Sequence, residues 1–331
     1  MRKQLTSFRL IISSLILFFL LILTFVLALS LGSETFSLYK LYEVIFTTSQ
    51  DQLASSIIIN LRLPRVLTAM LVGASLSIVG AVFQALLKNP LAEPYILGVS
   101  SGAALGSVIA IFFGLMNGIS TFAFIGSLLS FILVYIFGRR YGVIDPNTIL
   151  LVGVMINAFS SALILFIITI LDQSFRLALF WLMGNISMTN YNVVLILFLL
   201  LLVISFVFIL NSNNYNLISI SEENAKQFGV NTEFVKNVSF ILGSLLVGII
   251  VANVGIIGFV GLVIPHICRL IFGQDNRIVI PTSIFVGAIF LTLADLLSRI
   301  IIYPIETPIG SITAIIGVPF FIFLLKRKIY Y

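Results

Sequence analysis

Long apolar blocks alternate with short polar segments along the whole chain. The first block follows Arg9 and runs without a charge from Leu10 to Leu31, a length of 22 residues. The apolar core of a secretory signal peptide has about 7 to 15 residues, whereas a transmembrane helix uses about 20. We therefore predict an uncleaved first transmembrane helix in place of a signal peptide.

Eight further regions are apolar enough to lie in a membrane. One of them, residues 238–272, has 35 residues, with His266 and Arg269 as its only basic side chains, and exceeds the ~25 residues of one span. Pro265 and a run of glycines that begins at Gly255 predict a full helix, a break and a short helix here. The chain then has ten spans, with both termini on one side of the membrane. The other seven regions are residues 66–87, 96–113, 119–137, 148–171, 193–210, 278–301 and 309–325.

The overall composition agrees with a membrane protein. Of the 331 residues, 60% are hydrophobic and 9% are charged, whereas an ordinary soluble domain has about 25% charged residues. A water-soluble enzyme and a disordered chain are both excluded. The lone cysteine, Cys268, allows no disulfide within the chain. We predict an all-α fold, a polytopic membrane protein of about ten transmembrane helices in a single domain that covers residues 1–331.

Basic residues are distributed unequally between the two sides of the predicted topology. Thirteen of the 18 lysines and arginines fall on the side of the N-terminus and five fall on the other side. Short cytoplasmic loops are enriched in Lys and Arg. We therefore predict that the protein lies in the cytoplasmic membrane with both termini in the cytoplasm. Scattered basic residues give no patch for nucleic acid. The outer five are Lys40, Arg62, Arg65, Arg176 and Arg299.

Two parts of the chain resemble each other at a fixed distance. Residues 71–73 recur as residues 246–248, and Gly80, Pro90 and Gly98 recur as glycine or proline 175 positions later. Because five spans separate the second helix from the seventh, the two copies would face opposite ways. We predict inverted repeats at about residues 62–171 and 237–327, an arrangement typical of transporters.

The sequence lacks the residues that several kinds of protein chemistry require. No phosphate-binding motif of the form GxxxxGK[ST] occurs, so any ATP is hydrolysed by another chain. The acidic residues are expected near span ends or in loops, which argues against an ion-coupled carrier with a titratable group in mid-membrane. The only histidine, His266, has no predicted metal-binding neighbours and is expected to cap the break after Pro265.

Three glycines share one face of a predicted helix. Gly98, Gly102 and Gly106 recur at four-residue spacing, which lets a neighbouring backbone approach closely. This pattern predicts packing and not catalysis.

Three arginines lie where the orientation rule disfavours them. Arg62 and Arg65 are at the outer mouth of the second span, and Arg299 is at the outer end of the ninth. They could be anchors in the lipid headgroups. The alternative, which we favour, is a positive outer rim that docks a negatively charged partner through charge-assisted hydrogen bonds.

A polar stretch at residues 219–236 lies on the cytoplasmic side. Ser221 can cap a short helix that has Glu222 and Glu223 in its first turn, and Gly229 can end it. A plain surface loop is the alternative. A short helix that projects into the cytoplasm would offer a motor protein a point of attachment.

At these residues the sequence resembles the permease subunits of bacterial ABC importers for iron-siderophores, haem and cobalamin, the FecCD family of type II importers. The resemblance implies ten spans per subunit, inverted repeats, and two permeases beside two separate ATPase subunits. The matching stretches cover residues 61–106, 180–187, 257–277 and 293–321.

The resemblance also implies roles for individual residues. The outer arginines match those that receive glutamates from the two lobes of an extracytoplasmic substrate-binding protein, and Glu223, Ala225 and Gly229 match the coupling motif that contacts the ATPase, with Asn224 in place of its middle alanine. The fifth and tenth spans would line the path. The resemblance implies a first inner gate at Asn89 and Leu91. It implies a second gate at Asp145, Pro146 and Asn147, where the family has small hydroxyl residues. The candidate pathway residues are Asn157, Ser160 and Ser161.

The expected function is therefore transport without bond chemistry. A binding protein would deliver a ferric siderophore complex to the outer rim, and ATPase closure would move the helix after Ser221. Haem and cobalamin are the alternative cargoes, and an ion-coupled secondary carrier or a membrane scaffold is a competing class. The second permease is either another copy or a related chain, and no cofactor or metal ion is expected.

Overall fold

The computed structural model describes residues 7–47, 51–140, 143–170, 175–187, 189–302 and 306–328. The predicted all-α fold is confirmed. Arg2 and Lys3, which the charge asymmetry counts on the inner side, lie outside the described residues. The elements are α1 (Ser7–Ser30), α2 (Leu38–Phe46), α3 (Gln52–Ser55), α4 (Leu63–Leu86), α5 (Val99–Phe112), α6 (Ile119–Phe137), β1 (Arg139–Arg140), β2 (Val143–Ile144), α7 (Pro146–Ile170), α8 (Phe175–Leu182), α9 (Tyr191–Leu210), α10 (Ser212–Ile220), α11 (Glu222–Gln227), α12 (Thr232–Val254), α13 (Val260–Phe272), α14 (Asn276–Ile300) and α15 (Ile309–Lys328).

Ten apolar helices correspond to the ten predicted spans. In the described part of the chain, seven are long enough to cross a membrane, and α5, α13 and α15 are shorter apolar helices. A π-helical segment at Ser56–Arg62 joins α3 to α4, so the second long span covers 35 residues, Gln52–Leu86. The polytopic membrane architecture is thus confirmed, although the second span begins earlier in the sequence than its apolar block indicates.

The core of the bundle is built around α4, which packs against α9, α12, α13 and α14. Glycines allow the closest approaches. A Cβ atom on Gly73 would lie 2.2 Å from the carbonyl oxygen of Gly287, and one on Gly80 would lie 1.9 Å from that of Gly261. Both distances are far below van der Waals contact, so α4 touches α13 and α14 backbone to backbone.

The glycines of α5 also pack against neighbouring helices. Gly102 and Gly106 face α6, where a Cβ atom would meet the carbonyl oxygens of Gly126 and Phe122 at 2.4 and 2.1 Å. Gly98 has a φ of +73° in the turn just before α5 and faces Ile156 of α7. These contacts agree with a packing role for the glycine string.

The break between the seventh and eighth spans lies at residues 255–259, and the expected break after Pro265 is wrong. Gly255 has φ 73° and ψ −164°, a conformation that glycine adopts readily and that residues with a side chain rarely adopt. Pro265 lies within α13, and His266 is buried in that helix with its ring 5.9 Å from the Phe321 ring. Glycine ends α12 because its backbone is free to turn there, while the proline is accommodated inside a short buried helix.

The segment between α4 and α5 reaches into the bundle. A carboxylate oxygen of Glu93 accepts a hydrogen bond from the backbone N–H of Phe259 at 2.7 Å, at the start of α13. Pro94 contacts Gly261, which also lies beside Leu76 in the middle of α4. Glu93 lies in the loop between α4 and α5, as expected, and its side chain is half-buried against the start of α13. Its carboxylate caps a helix N-terminus, where a negative charge is favourable.

Each predicted repeat contains the same series of elements. In the first, a helix of 24 residues, α4, is followed by an irregular segment and by α5 with 14 residues. In the second, α12 with 23 residues is followed by the break and by α13 with 13 residues. The inverted relation between the two repeats stays a prediction.

Candidate functional site

Arg62, Arg65 and Arg299 lie together at one end of the bundle, which we call the arginine end. Arg65 donates from Nε to Asp295 at 2.8 Å and from Nη1 to both carboxylate oxygens of Glu306 at 2.8 and 2.9 Å. Arg299 Nε lies 3.1 Å from the second oxygen of Asp295. Asp295 is fully buried, so one carboxylate from the last third of the chain holds two arginines.

Backbone carbonyls in the last turn of α1 and in the segment just after it supply further partners of this cluster. Arg62 donates to Leu29 at 2.9 Å and to Glu34 at 2.6 Å, and its guanidinium lies 4.8 Å from the centre of the Phe36 ring. Arg299 donates to Ala28 at 3.0 Å. The last carbonyls of a helix lack partners within the helix and carry partial negative charge, which suits a guanidinium.

The exposure of these arginines differs from that expected of an open rim. Arg62, Arg65 and Arg299 are 5%, 8% and 7% exposed, because their guanidinium groups bond to the chain itself. Glu306, whose side chain is half-exposed, covers Arg65. The role of these arginines in docking stays a prediction.

The helix predicted after Ser221 is present as α11, at what we call the α11 end of the bundle. The Ser221 hydroxyl accepts a hydrogen bond from the Asn224 N–H at 3.3 Å, and Gly229 has a φ of +82° where the helix has ended. Ala225 is buried and holds α11 against the protein, while Glu223 and Gly229 are exposed. Of the residues expected to contact an ATPase, Glu223 on α11 and Gly229 just after it are therefore accessible, whereas Ala225 is not.

Sequence reasoning missed an apolar surface beside α11. Ile220 and Phe228 are each 74% exposed, and Phe234 is 63% exposed. Their apolar character gave no signal in a chain rich in lipid-facing phenylalanine and isoleucine. Together with α11 they form a surface that a partner protein would cover, because exposed aromatic side chains are typical anchors of interfaces.

The α11 end is tied to the rest of the protein by polar contacts. Asn216 of α10 donates to Asp275 at 2.8 Å and accepts from the Asn276 N–H at 2.8 Å, at the start of α14. Burial opposes ionisation of Asp275, but hydrogen bonds from Arg277 and Asn216 outweigh it and hold the carboxyl pKa below its usual value. These contacts bind α10, and through it α11, to the N-terminus of α14.

The two ends of α14 therefore mark two separate sites. Asp275 and Asn276 are at its start beside α10, and Asp295 and Arg299 are near its end in the arginine cluster. A helix of 25 residues is about 36 Å long, which spans the apolar core of a bilayer.

The residues expected at the inner gates belong to two different local structures. The Asn89 side chain accepts the Leu91 N–H at 2.9 Å within the turn after α4. Asp145 caps α7, since its carboxylate accepts the N–H and the hydroxyl of Thr148 at 2.8 and 2.5 Å. Pro146 and Asn147 begin α7, and Asn147 is exposed.

A polar cavity of about 290 Å³ opens beside the first of these turns. Its lining includes Lys88, Asn89, His266 and Arg269. Arg269 donates to the side chain of Gln84 and, at 3.1 Å, to the backbone carbonyl of Ala81. Of the expected gate residues, Asn89 alone is among those that line this cavity.

The three residues expected along the pathway have different surroundings. Asn157 is half-buried and accepts a hydrogen bond from Ser101 of α5 at 2.6 Å. Ser160 is 2% exposed, and Ser161 lies on the open side of α7. Within this chain the three side chains do not form one lined passage.

Ten apolar helices, a capped helix at one end and a buried charge cluster at the other define a polytopic helical membrane protein. The chain belongs to the FecCD transport family, which matches residues 20–327. It is 40% identical to the ABC transporter permease protein YvrB of Bacillus subtilis, with 99% of this chain and 98% of that protein covered. It is 36% identical to the hemin transport system permease protein HmuU of Yersinia pestis, with 95% and 96% covered.

A solved structure has the same fold over nearly its whole length. A metal-chelate type ABC transporter in an inward-facing conformation superposes with a TM-score of 0.85 at 33% identity, and 95% of this chain and 98% of that chain are covered. The protein is thus an ABC importer permease of the FecCD type, a transport component that spans the membrane.

Proposed function

We propose that this chain is the membrane-spanning subunit of an importer that carries ferric siderophore complexes across the cytoplasmic membrane. Two copies of a separate ATPase subunit supply the energy, and a second permease subunit completes the pathway. The observation that carries this proposal is α11, a capped helix that presents Glu223, with Gly229 just after its end, beside exposed apolar side chains. The α11 end and both termini are then cytoplasmic.

In this proposal the ATPase contacts α11 and the apolar surface around it. Ser221 and Ala225 fix the helix, and Glu222 joins it to the protein body. Phe228, which is 74% exposed, is the more exposed of the two phenylalanines on that surface and would fill a pocket in the ATPase. Interfaces of this kind depend mainly on a few aromatic anchors that lose contact with water.

We expect Phe228→Asp to weaken ATPase binding at least about tenfold, because a carboxylate would replace an apolar anchor and would lose its water in the interface. The measurement is the amount of ATPase that co-purifies with the tagged permease. Phe46→Asp is the matched control, since Phe46 is 73% exposed on a different helix, α2. Equal ATPase recovery with Phe228→Asp and with Phe46→Asp would refute the assigned surface.

The arginine end would face the extracytoplasmic binding protein. Arg65 holds the half-exposed Glu306 by two hydrogen bonds, and a glutamate of the binding protein could exchange with Glu306 on the same guanidinium. Arg62 and Arg299 add two further positive charges at this end. Charge reversal at these arginines would break contacts within the permease, so the requirement for a binding protein is the cleaner test of docking.

The cytoplasmic gates and the pathway complete the proposal. Asn89 and Leu91 form one gate, and Asp145, Pro146 and Asn147 form the other at the start of α7. Asn157, Ser160 and Ser161 line the path along α7 after a second permease subunit closes its open side. A mostly apolar passage would bind a large chelate weakly, so the binding protein would determine which cargo is carried.

The names of relatives support a chelated metal as the cargo. The permeases of an Fe(3+)-citrate system in Bacillus subtilis and of an iron chelatin system in Helicobacter pylori are 35% and 36% identical to this chain. Haem and cobalamin permeases, at 36% identity each, represent the competing cargoes.

Transport into proteoliposomes tests the proposed function. The permease, its ATPase and its binding protein are assembled, and radiolabelled ferric hydroxamate, ferric catecholate, haem and cobalamin are compared. We expect uptake of a ferric siderophore that requires both ATP and the binding protein. Uptake of haem or cobalamin alone would refute the cargo, uptake without ATP would indicate an ion-coupled carrier, and the absence of any bound ATPase would favour a scaffold.

A further inference from the structure

Lys236, near the start of α12, is a lysine buried to 1% exposure at the α11 end. A buried ammonium is costly unless it is paired and hydrogen-bonded. Its Nζ lies 2.5 Å from a carboxylate oxygen of Glu222 and 3.4 Å from the carbonyl oxygen of Ile144. These three residues belong to three separate segments, α12, α11 and β2, so the lysine joins them at one point.

The carbonyl that Lys236 contacts lies directly before the start of α7. Ile144 precedes Asp145, whose carboxylate caps α7 by accepting from the N–H and the hydroxyl of Thr148. A displacement of Ile144 is therefore transmitted to the first turn of α7 through one peptide bond and two hydrogen bonds. Lys236 provides a direct contact between α11 and the start of this span.

β1 pairs antiparallel with β2, and we call this pair of strands the hairpin. Its first strand, β1, is attached to α12 by a second set of contacts. Arg139 Nη2 lies 3.6 Å from Glu233 and donates to Asn237 at 3.2 Å. Tyr135, at the end of α6, also donates to Asn237 at 2.9 Å. Both strands of the hairpin are thus held to the first turns of α12, and the ion pair with Glu222 connects this unit to α11.

We propose that Lys236 is a positioning residue that transmits movement of α11 to the start of α7. The inference rests on the proposed function, since the ATPase is what would move α11. Closure of the ATPase displaces Glu222, the ion pair carries Lys236 and the Ile144 carbonyl with it, and the first turn of α7 shifts at Asp145 and Asn147. Without the ammonium group, α11 can move without carrying the hairpin.

Cysteine accessibility at Asn147 measures this transmission. The permease with Cys268→Ser and Asn147→Cys is assembled with its ATPase in nanodiscs, and the rate of reaction with a charged maleimide is compared without nucleotide and after trapping with ATP and vanadate. We expect a rate difference between the two states when Lys236 is present. Lys236→Met should reduce that difference about threefold to tenfold while the ATPase stays bound, and Lys236→Arg should retain it.

A matched lysine and a second member of the pair control the experiment. Lys40 forms an ion pair with Glu43 at 3.2 Å within α2, and Lys40→Met should leave the rate difference unchanged. Glu222→Gln should reproduce the loss seen with Lys236→Met, and it decides the outcome if Lys236→Met does not assemble.

The outcomes separate the inference from the proposed function. A full rate difference in Lys236→Met or Glu222→Gln with ATPase bound would overturn the inference. The absence of any rate difference in the Asn147→Cys reference protein that keeps Lys236 and Glu222 would overturn it as well. Failure of the unaltered permease to bind an ATPase would instead overturn the proposed function.

Discussion

Asp295→Ala is expected to destabilise the permease by about 3 to 5 kcal/mol, because a buried charge whose partner is removed remains uncompensated. Asp295 is fully buried between Arg65 and Arg299. Its loss would leave both guanidinium groups in the protein interior with one acidic neighbour, the half-exposed Glu306. The cluster would then have to open to water or to separate α4 from α14.

The measurement is the temperature at which half of the detergent-solubilised permease is lost from the monodisperse peak in size-exclusion chromatography. We expect a fall of about 5 to 10 °C for Asp295→Ala. Glu306→Gln is the matched control, because it removes the exposed acidic partner of Arg65 and should cost about 1 kcal/mol or less. Similar midpoints for the two variants would contradict a central role for Asp295.

The second large effect is expected at the contact between α4 and α13. Gly80→Val would place a Cβ atom 1.9 Å from the carbonyl oxygen of Gly261, and two more methyl carbons would follow it. Backbone cannot yield as a flexible side chain can, so the two helices must separate. We expect a loss of about 3 kcal/mol or more and a low yield of folded protein.

A matched glycine separates this contact from the general cost of a larger residue. Gly118→Val adds the same atoms at a site whose nearest neighbour, Phe122, is 3.5 Å from the new Cβ atom. The stability of Gly118→Val should stay within about 1 kcal/mol of that of the unaltered protein. Chromatographic yield and thermal midpoint are the measurements, and both should be close to the unaltered values. An equally stable Gly80→Val variant would show that α4 and α13 can part without cost.

The spans were predictable because lipid imposes length and apolarity on each helix separately. The pattern located all ten helices and indicated that residues 238–272 must be broken. It misplaced the break because Pro265 is the stronger local signal, whereas the turn depends on the positive φ of Gly255. The contact between Glu93 and the Phe259 N–H was missed because the two residues are 166 positions apart in the sequence.

The candidate sites were predictable in position and less so in detail. The polar stretch after Ser221 indicated a short helix because caps are local signals. The surroundings of Arg65 depend on Asp295 and Glu306, which are 230 and 241 residues away. The contacts of Lys236 with Glu222 and Ile144 were missed for the same reason, since they join residues that lie 14 and 92 positions from it in the sequence.

The attachment of the α1 terminus constrains the order in which the chain can be completed during synthesis. Arg62 reaches the carbonyl of Leu29 from 33 positions away, whereas Arg299 reaches that of Ala28 from 271 positions away. The contact from Arg62 to the first helix can therefore form early in synthesis, whereas the contact from Arg299 can form only after nearly all the chain has been made. Until then Arg65 also lacks Asp295. A nascent chain that stops before α14 therefore leaves both Arg65 and the end of α1 without their partners from the last third of the sequence.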